Sequence, residues 1–246
     1  MVLGLKFSLS YFSILPIKFK KDDDLSKESV LFFMLIFFPL VGLIISLLTL
    51  LFISFGSNWL YFLFGALFFM ILYGFLHTEA VIDVVDALFA KHSQKSPYEV
   101  IKEPTVGAMG VLFGVAFLIL KIATLTYLFL EQKGLFLVAV AVGSRVGALV
   151  IFRAFEFKSS FLTLLKSSFS KKGFIFSLIF YTALVGFIVG EYGVLIVFFE
   201  VIVALILAKI IKNSLGFING DGVGAAIEGS ELLGLTLVTG GGFGLS

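Results

Sequence analysis

The chain has no cysteine. Disulfides, thiolate nucleophiles and cysteine-ligated metals are therefore excluded, and nothing can be read about redox compartment. Charge is also scarce: Asp, Glu, Lys and Arg make up 14% of 246 residues, against about 25% in a soluble domain. There are two His, four Pro and one Trp, so few side chains are available for acid–base chemistry. What fills the chain is apolar, with 60% hydrophobic residues, 32 of them Phe, and a mean hydropathy of +1.14. Such a chain reads as one integral membrane domain over residues 1–246. Its architecture is expected to be all-α, a polytopic membrane helix bundle, because helices satisfy their own backbone groups in lipid.

The apolar runs predict six spans of roughly 20 residues each: 30–55, 59–76, 107–130, 134–152, 173–190 and 193–208. A seventh, 222–243, is Gly-rich and carries Glu228 and Glu231. It inserts poorly alone and is expected to pack inside the bundle. The start, MVLGLKFSLSYFSILPIKFKK, reads as a retained interfacial helix, because no small-residue cleavage site precedes its charges. With alternating spans, fourteen Lys and Arg fall on one side: Lys18, Lys20, Lys21, Lys27, Lys91, Lys95, Lys102, Arg153, Lys158, Lys166, Lys171, Lys172, Lys209 and Lys212. The other side receives Lys133 alone, while Lys6, Lys121 and Arg145 lie within apolar segments. That bias predicts a cytoplasmic lysine-rich side in the cytoplasmic (inner) membrane. The turns at Gly56-Ser57-Asn58, Glu131-Gln132-Lys133 and Glu191-Tyr192 are expected on the opposite face.

Four constellations could carry chemistry. No charge occurs between Glu28 and Glu79; then Glu79, Asp83, Asp86, Glu99 and Glu103 follow closely. Glu79, Asp83 and Asp86 stand at i, i+4 and i+7, one face of an amphipathic helix. Carboxylates aligned without interleaved Lys or Arg repel one another unless a cation lies between them, and hard oxygens suit Mg²⁺; a solvated polar face is the plainer alternative. His77 opens this helix on another face, as an acid–base group or as an interfacial polar anchor. Second, Lys102-Glu103 precedes a Gly-containing helix start at Gly107, whose free N–H groups suit a phosphate. Third, Asn219 to Glu231 aligns Asp221, Glu228 and Glu231 among glycines. Fourth, Arg145 sits within an apolar span and needs an anionic partner, either one of these carboxylates or a substrate phosphate. The glycines themselves are expected mainly to serve close helix packing.

The order of these pieces resembles the cobalamin synthase family, membrane enzymes also called adenosylcobinamide-GDP ribazoletransferases. Phe12 to Pro16 is similar to that family's early Phe-x-x-x-Leu-Pro, and Phe38-Pro39-Leu40-Val41-Gly42 to its first-span motif. His77 to Leu88 follows its acidic signature, with Glu79 for Asp and Ala80 and Ala87 for Gly. Lys102-Glu103 through Gly107, Gly110 and Val111 is similar to its Lys-Asp motif, Ser144-Arg145 to its middle-span pair, and Asn219 to Glu231 to its late motif. The resemblance implies transfer of the adenosylcobinamide phosphoryl group to the 5′-hydroxyl of α-ribazole, releasing GMP and forming adenosylcobalamin. It implies Mg²⁺ held by Glu79, Asp83, Asp86, Glu103, Asp221 and Glu228. Lys102 and Arg145 would act on phosphate oxygens, with Asp221 or His77 as base. Lipid surrounds the chain, no nucleic acid is expected, and a homo-oligomer is left open. Two other readings are a CDP-alcohol-type phosphotransferase, whose Arg after the acidic pair is missing beyond Asp86, and an ion-coupled carrier. The carrier would use Asp83, Glu200, Glu228 and Arg145 as a relay, and Glu200 is the one residue that the enzyme reading leaves unexplained.

Overall fold

The computed structural model describes residues 1–90 and 96–242, which form twelve helices and, among these residues, no strand. They are α1 (Val2–Phe12), α2 (Glu28–Ile36), α3 (Phe38–Ile53), α4 (Trp59–Leu72), α5 (Leu76–Phe89), α6 (Pro97–Val100), α7 (Ala108–Leu130), α8 (Phe136–Ala154), α9 (Ser160–Ser168), α10 (Lys171–Val189), α11 (Glu191–Leu215) and α12 (Gly220–Thr239). Lys91, Lys95 and Phe243, which figured in the sequence expectations, lie outside the described residues. Among the described residues, α7, α8, α10 and α11 are each long and apolar enough to cross a membrane. The bent pairs α2/α3 and α4/α5 raise this to as many as six.

Two of the expected spans are therefore not straight. Residues 30–55 bend by 43° at Phe37, where Pro39 opens α3; proline is tolerated in a first helical turn and ends the hydrogen-bonded run before it. The second expected span stops at Leu72. There the chain turns through 76° over Gly74 (φ 64°) and Phe75 (φ 54°), both left-handed. Glycine adopts that conformation freely, whereas Phe75 does so against its own Cβ. The turn between α10 and α11 is a single Gly190 at φ 87°, so Glu191 and Tyr192 already belong to α11.

The centre of the bundle is α8, buried from Leu137 to Leu149 and packed by α3, α10, α11 and α12. Small residues let the backbones approach. A Cβ on Gly42 would lie 2.4 Å from the Ala141 carbonyl oxygen, and one on Gly147 would lie 2.8 Å from the Ala204 Cβ. Helices meet this way in membranes because van der Waals packing, not hydrophobic exclusion, holds them together. The seventh expected segment is α12, buried along most of its length between α5, α7, α8 and α11. Its Glu228 and Glu231 thus lie inside protein, as the poor insertion of its sequence predicts. Because the chain lacks cysteine, topology is directly testable. Asn213→Cys and Ser57→Cys should react with a membrane-impermeant thiol reagent from opposite faces; labelling from one face would contradict the spans.

Candidate active site

The polar residues divide into a closed ion cluster within the bundle and an open site at its lysine-rich end. In the cluster, Lys121 of α7 lies 2.8 Å from Glu228 and 2.7 Å from Glu231, both on α12. Arg145 of α8 donates from Nη1 to Glu231 Oε1 at 2.6 Å and to the Ala141 carbonyl at 2.7 Å. The hydroxyls of Tyr73 and Thr78 donate to Glu228 Oε1 at 2.9 and 2.8 Å, and Ser144 donates to Glu231 Oε1 at 2.9 Å. All are buried. Two cations thus face two carboxylates with hydroxyls on the remaining lone pairs, the condition under which buried charge is tolerated.

This cluster bears on two expectations. Glu228, expected as a metal ligand, is engaged inside the bundle by Lys121, Tyr73 and Thr78. Arg145 meets Glu231 through Nη1, one of the two options that the sequence left open, and its Nε and Nη2 have no partner among the described residues. Sequence reasoning noted Lys121 but gave it no role, although a lysine fourteen positions into a 23-residue apolar helix already requires a carboxylate. Glu200 is buried between α8 and α12, its side chain against Gly143 and its carboxyl in the space left by Gly234.

At the open end, α5 presents the acidic face. Glu79 is exposed, while Asp83 and Asp86 are half-buried. Asp86 accepts the Gly107 N–H at 2.5 Å and the Gly110 N–H at 2.6 Å. Two donors expected for phosphate at the start of α7 are therefore taken by a carboxylate, which also complements the helix dipole. Asp83 feels the negative charges of Asp221, Glu79 and Asp86. Asp221 stands in the first turn of α12, where the Asn219 side chain accepts the Gly222 N–H and its amide donates to Asp221 at 2.7 Å. Burial pushes the Asp221 carboxyl above its ordinary range, and that amide hydrogen bond partly offsets the shift. Among the described residues, no three His, Asp or Glu lie close enough together to hold a metal ion.

Asp221 also lines two clefts. One is a cavity of about 130 Å³ with mainly aromatic and aliphatic walls, including Tyr11, Phe38, His77 and Phe161. His77 is buried there, stacked on Tyr73 at 5.7 Å and edge-on to Phe38 at 6.4 Å, away from the exposed Glu79 as helical spacing predicts. The other is a polar groove of about 390 Å³ that includes Lys102, Lys158, Ser159, Ser160 and Asn219. The Tyr98 ring supports both ammonium groups, at 4.0 Å for Lys102 and 3.7 Å for Lys158. Lys102 and Glu103 are exposed. Sequence reading counted Lys158 only as a basic residue; nothing local to it announces its pairing with Lys102 across 56 positions.

An all-helical bundle with candidate membrane-spanning helices, and with Asp221 shared by an apolar cleft and a groove lined by Lys102 and Lys158, defines an integral membrane protein with a polar site at one end. The family model described as cobalamin-5-phosphate synthase matches residues 4–239, and the chain belongs to that family. Similar proteins named adenosylcobinamide-GDP ribazoletransferase include those of Brevibacillus brevis (26% identity over 95% of this chain and 96% of the relative). Others are those of Clostridium perfringens strain ATCC 13124 (29%, covering 96% of each) and Acinetobacter baumannii strain ATCC 17978 (30%, covering 94% and 95%). No solved structure matches the chain.

The ion cluster makes a stability prediction. Lys121→Met should destabilise the protein by about 3–5 kcal/mol, because it strands the buried Glu228. Adding Glu228→Gln should recover part of that loss, read as the midpoint of thermal unfolding in detergent. Additive losses would mean that the two residues are not coupled.

Proposed function

We propose that this chain catalyses the last step of cobalamin assembly, joining adenosylcobinamide-GDP to α-ribazole with release of GMP. The observation that carries the reading is the position of Asp221 between an apolar cleft and a cationic groove, in a chain matched by the family model from residue 4 to 239. A ribosyl hydroxyl attacks the phosphorus attached to cobinamide. The new P–O bond forms, the anhydride P–O bond breaks, GMP leaves with its electron pair, and the hydroxyl proton passes to Asp221. A carboxyl raised by burial is better suited than an ordinary one to accept that proton near neutral pH. The family description names a cobalamin-5-phosphate. A product that keeps a phosphate at that position has made its new bond through another ribosyl oxygen, so we replace the 5′-hydroxyl expected from the sequence with a different ribosyl hydroxyl.

The donor set suits Mg²⁺. This ion is usually held by one or two carboxylates together with substrate phosphates, not by an all-protein cage, which is compatible with there being no three-residue cluster among the described residues. Glu79 and Asp83 would hold it, with Asp86 on the same face of α5 already anchored on α7 and Glu103 in the segment before α7. Bound there, it would supply positive charge against the diphosphate. Lys102 pairs with phosphate oxygens in the groove. His77 shares the apolar cleft with Asp221 and orients the acceptor. The site faces the cytoplasm of a bacterial inner membrane, an orientation supported by the lysine and arginine bias. The carrier reading loses two of its relay members, since Arg145 and Glu228 are fixed in a balanced cluster.

Purified protein incubated with adenosylcobinamide-GDP, α-ribazole or its 5′-phosphate, and Mg²⁺ should release GMP and form the corresponding cobalamin. Asp221→Asn should lower the rate about 10²–10⁴-fold, and Asp83→Asn should abolish it at limiting Mg²⁺, both proteins remaining folded. Glu200→Gln should leave turnover largely intact. An essential Glu200 beside a dispensable Asp221 would sink this mechanism.

A further inference from the structure

The two clefts that share Gly220 and Asp221 differ in chemistry, and the two substrates differ in the same way. We propose that the apolar cleft seats the planar base of the acceptor nucleoside, while Lys158 joins Lys102 to grip the donor diphosphate, so the substrates reach Asp221 from opposite sides. The assignment rests on the function proposed above.

The apolar cleft is walled by rings. Tyr11 lies 5.6 Å from Phe161, and Phe12 lies 4.0 Å from Phe38. Stacking against such walls favours a flat, uncharged aromatic ligand and gives nothing to a hydrated phosphate. One water needs about 10–15 Å³ of such space, so a cavity of about 130 Å³ accommodates a fused bicyclic ring system but not a corrin. Polar groups in the wall are few and placed for orientation. His77 is buried with its Nδ1 unpartnered among the described residues. Tyr11 keeps its phenol proton, because burial and then the nearby Asp221 charge push its ionisation up. These are hydrogen-bonding groups suited to ring nitrogens or ribosyl hydroxyls, and Asp221 at the mouth meets the sugar of a nucleoside inserted base first.

The groove has the opposite character. Lys102 and Lys158 rest on one Tyr98 ring. Two ammonium groups held on one support repel each other, and a bridging diphosphate relieves that repulsion. The backbone fixes Lys158 in position: its N–H donates to the Ile218 carbonyl at 2.8 Å, tying the loop before α9 to the entry of α12.

Steady-state kinetics with each substrate varied in turn separates the clefts. Tyr11→Ala, at a residue 45% exposed and so tolerant of truncation, should raise the KM for α-ribazole roughly tenfold and leave that for adenosylcobinamide-GDP unchanged. That factor corresponds to about 1.4 kcal/mol. Phe161→Ala should do the same, with Phe161→Tyr restoring the wild-type value. Lys158→Gln should raise the KM for adenosylcobinamide-GDP alone. If Tyr11→Ala or Phe161→Ala shifts the donor KM, or Lys158→Gln shifts the acceptor KM, the assignment is overturned. Wild-type protein that forms no GMP with either acceptor would instead overturn the functional reading on which it rests.

Discussion

The interaction on which the bundle depends is the contact of Lys121 and Arg145 with Glu228 and Glu231. Charge within a membrane protein is admissible only when neutralised and hydrogen-bonded. These four residues sum to zero net charge, while Tyr73, Thr78 and Ser144 take up remaining acceptor sites. Because the members come from α5, α7, α8, α12 and the corner after α4, one polar knot fixes how five pieces of chain meet. Apolar packing between helices in lipid lacks the strong directional preference that such a knot provides.

The knot also explains why α12 can exist. Its sequence is too glycine-rich and too acidic to face lipid, so it is held by partners on every side. Its first turn emerges beside α5, carrying Asp221 to the place where the aromatic and cationic clefts join. The end of α12 that carries Asp221 is thus positioned by the ion cluster behind it. The charges of that cluster are spent on each other, whereas those of Lys102, Lys158, Glu79 and Asp83 remain near the surface.

Much of this was legible in the chain. The apolar runs located the spans, and the i, i+4, i+7 spacing put Glu79, Asp83 and Asp86 on one helix with His77 turned away. The weak insertion potential of residues 222–243 foretold the burial of most of α12. Hydropathy carries no directional information, so the bends after Ile36 and Leu72 were invisible as angles, although Pro39 and Gly74 mark where they fall. Nor does local pattern reveal a partner more than a hundred positions away: Lys121 and Glu228 become a pair only through the way α7 and α12 pack. The same limit applies to Lys102 and Lys158, which meet through Tyr98. The donors at the start of α7, expected to meet a phosphate, meet the protein's own Asp86 in this structure.

The left-handed pair Gly74–Phe75 has a consequence for how such a chain can change. It joins a lipid-facing helix to a polar one, and it sets the rotational phase of the second against the first. A helix advances about 100° per residue, so a single insertion at this corner would turn α5 by more than a quarter of a circle. Asp83 would swing away from Asp221, and Thr78 would leave Glu228, without any change in composition or hydropathy. Substitutions along α5 act on one contact at a time, whereas length at the corner acts on all of them together. The distance between Tyr73 and His77, counted in residues, is therefore a stricter constraint on this protein than the identity of most side chains around it.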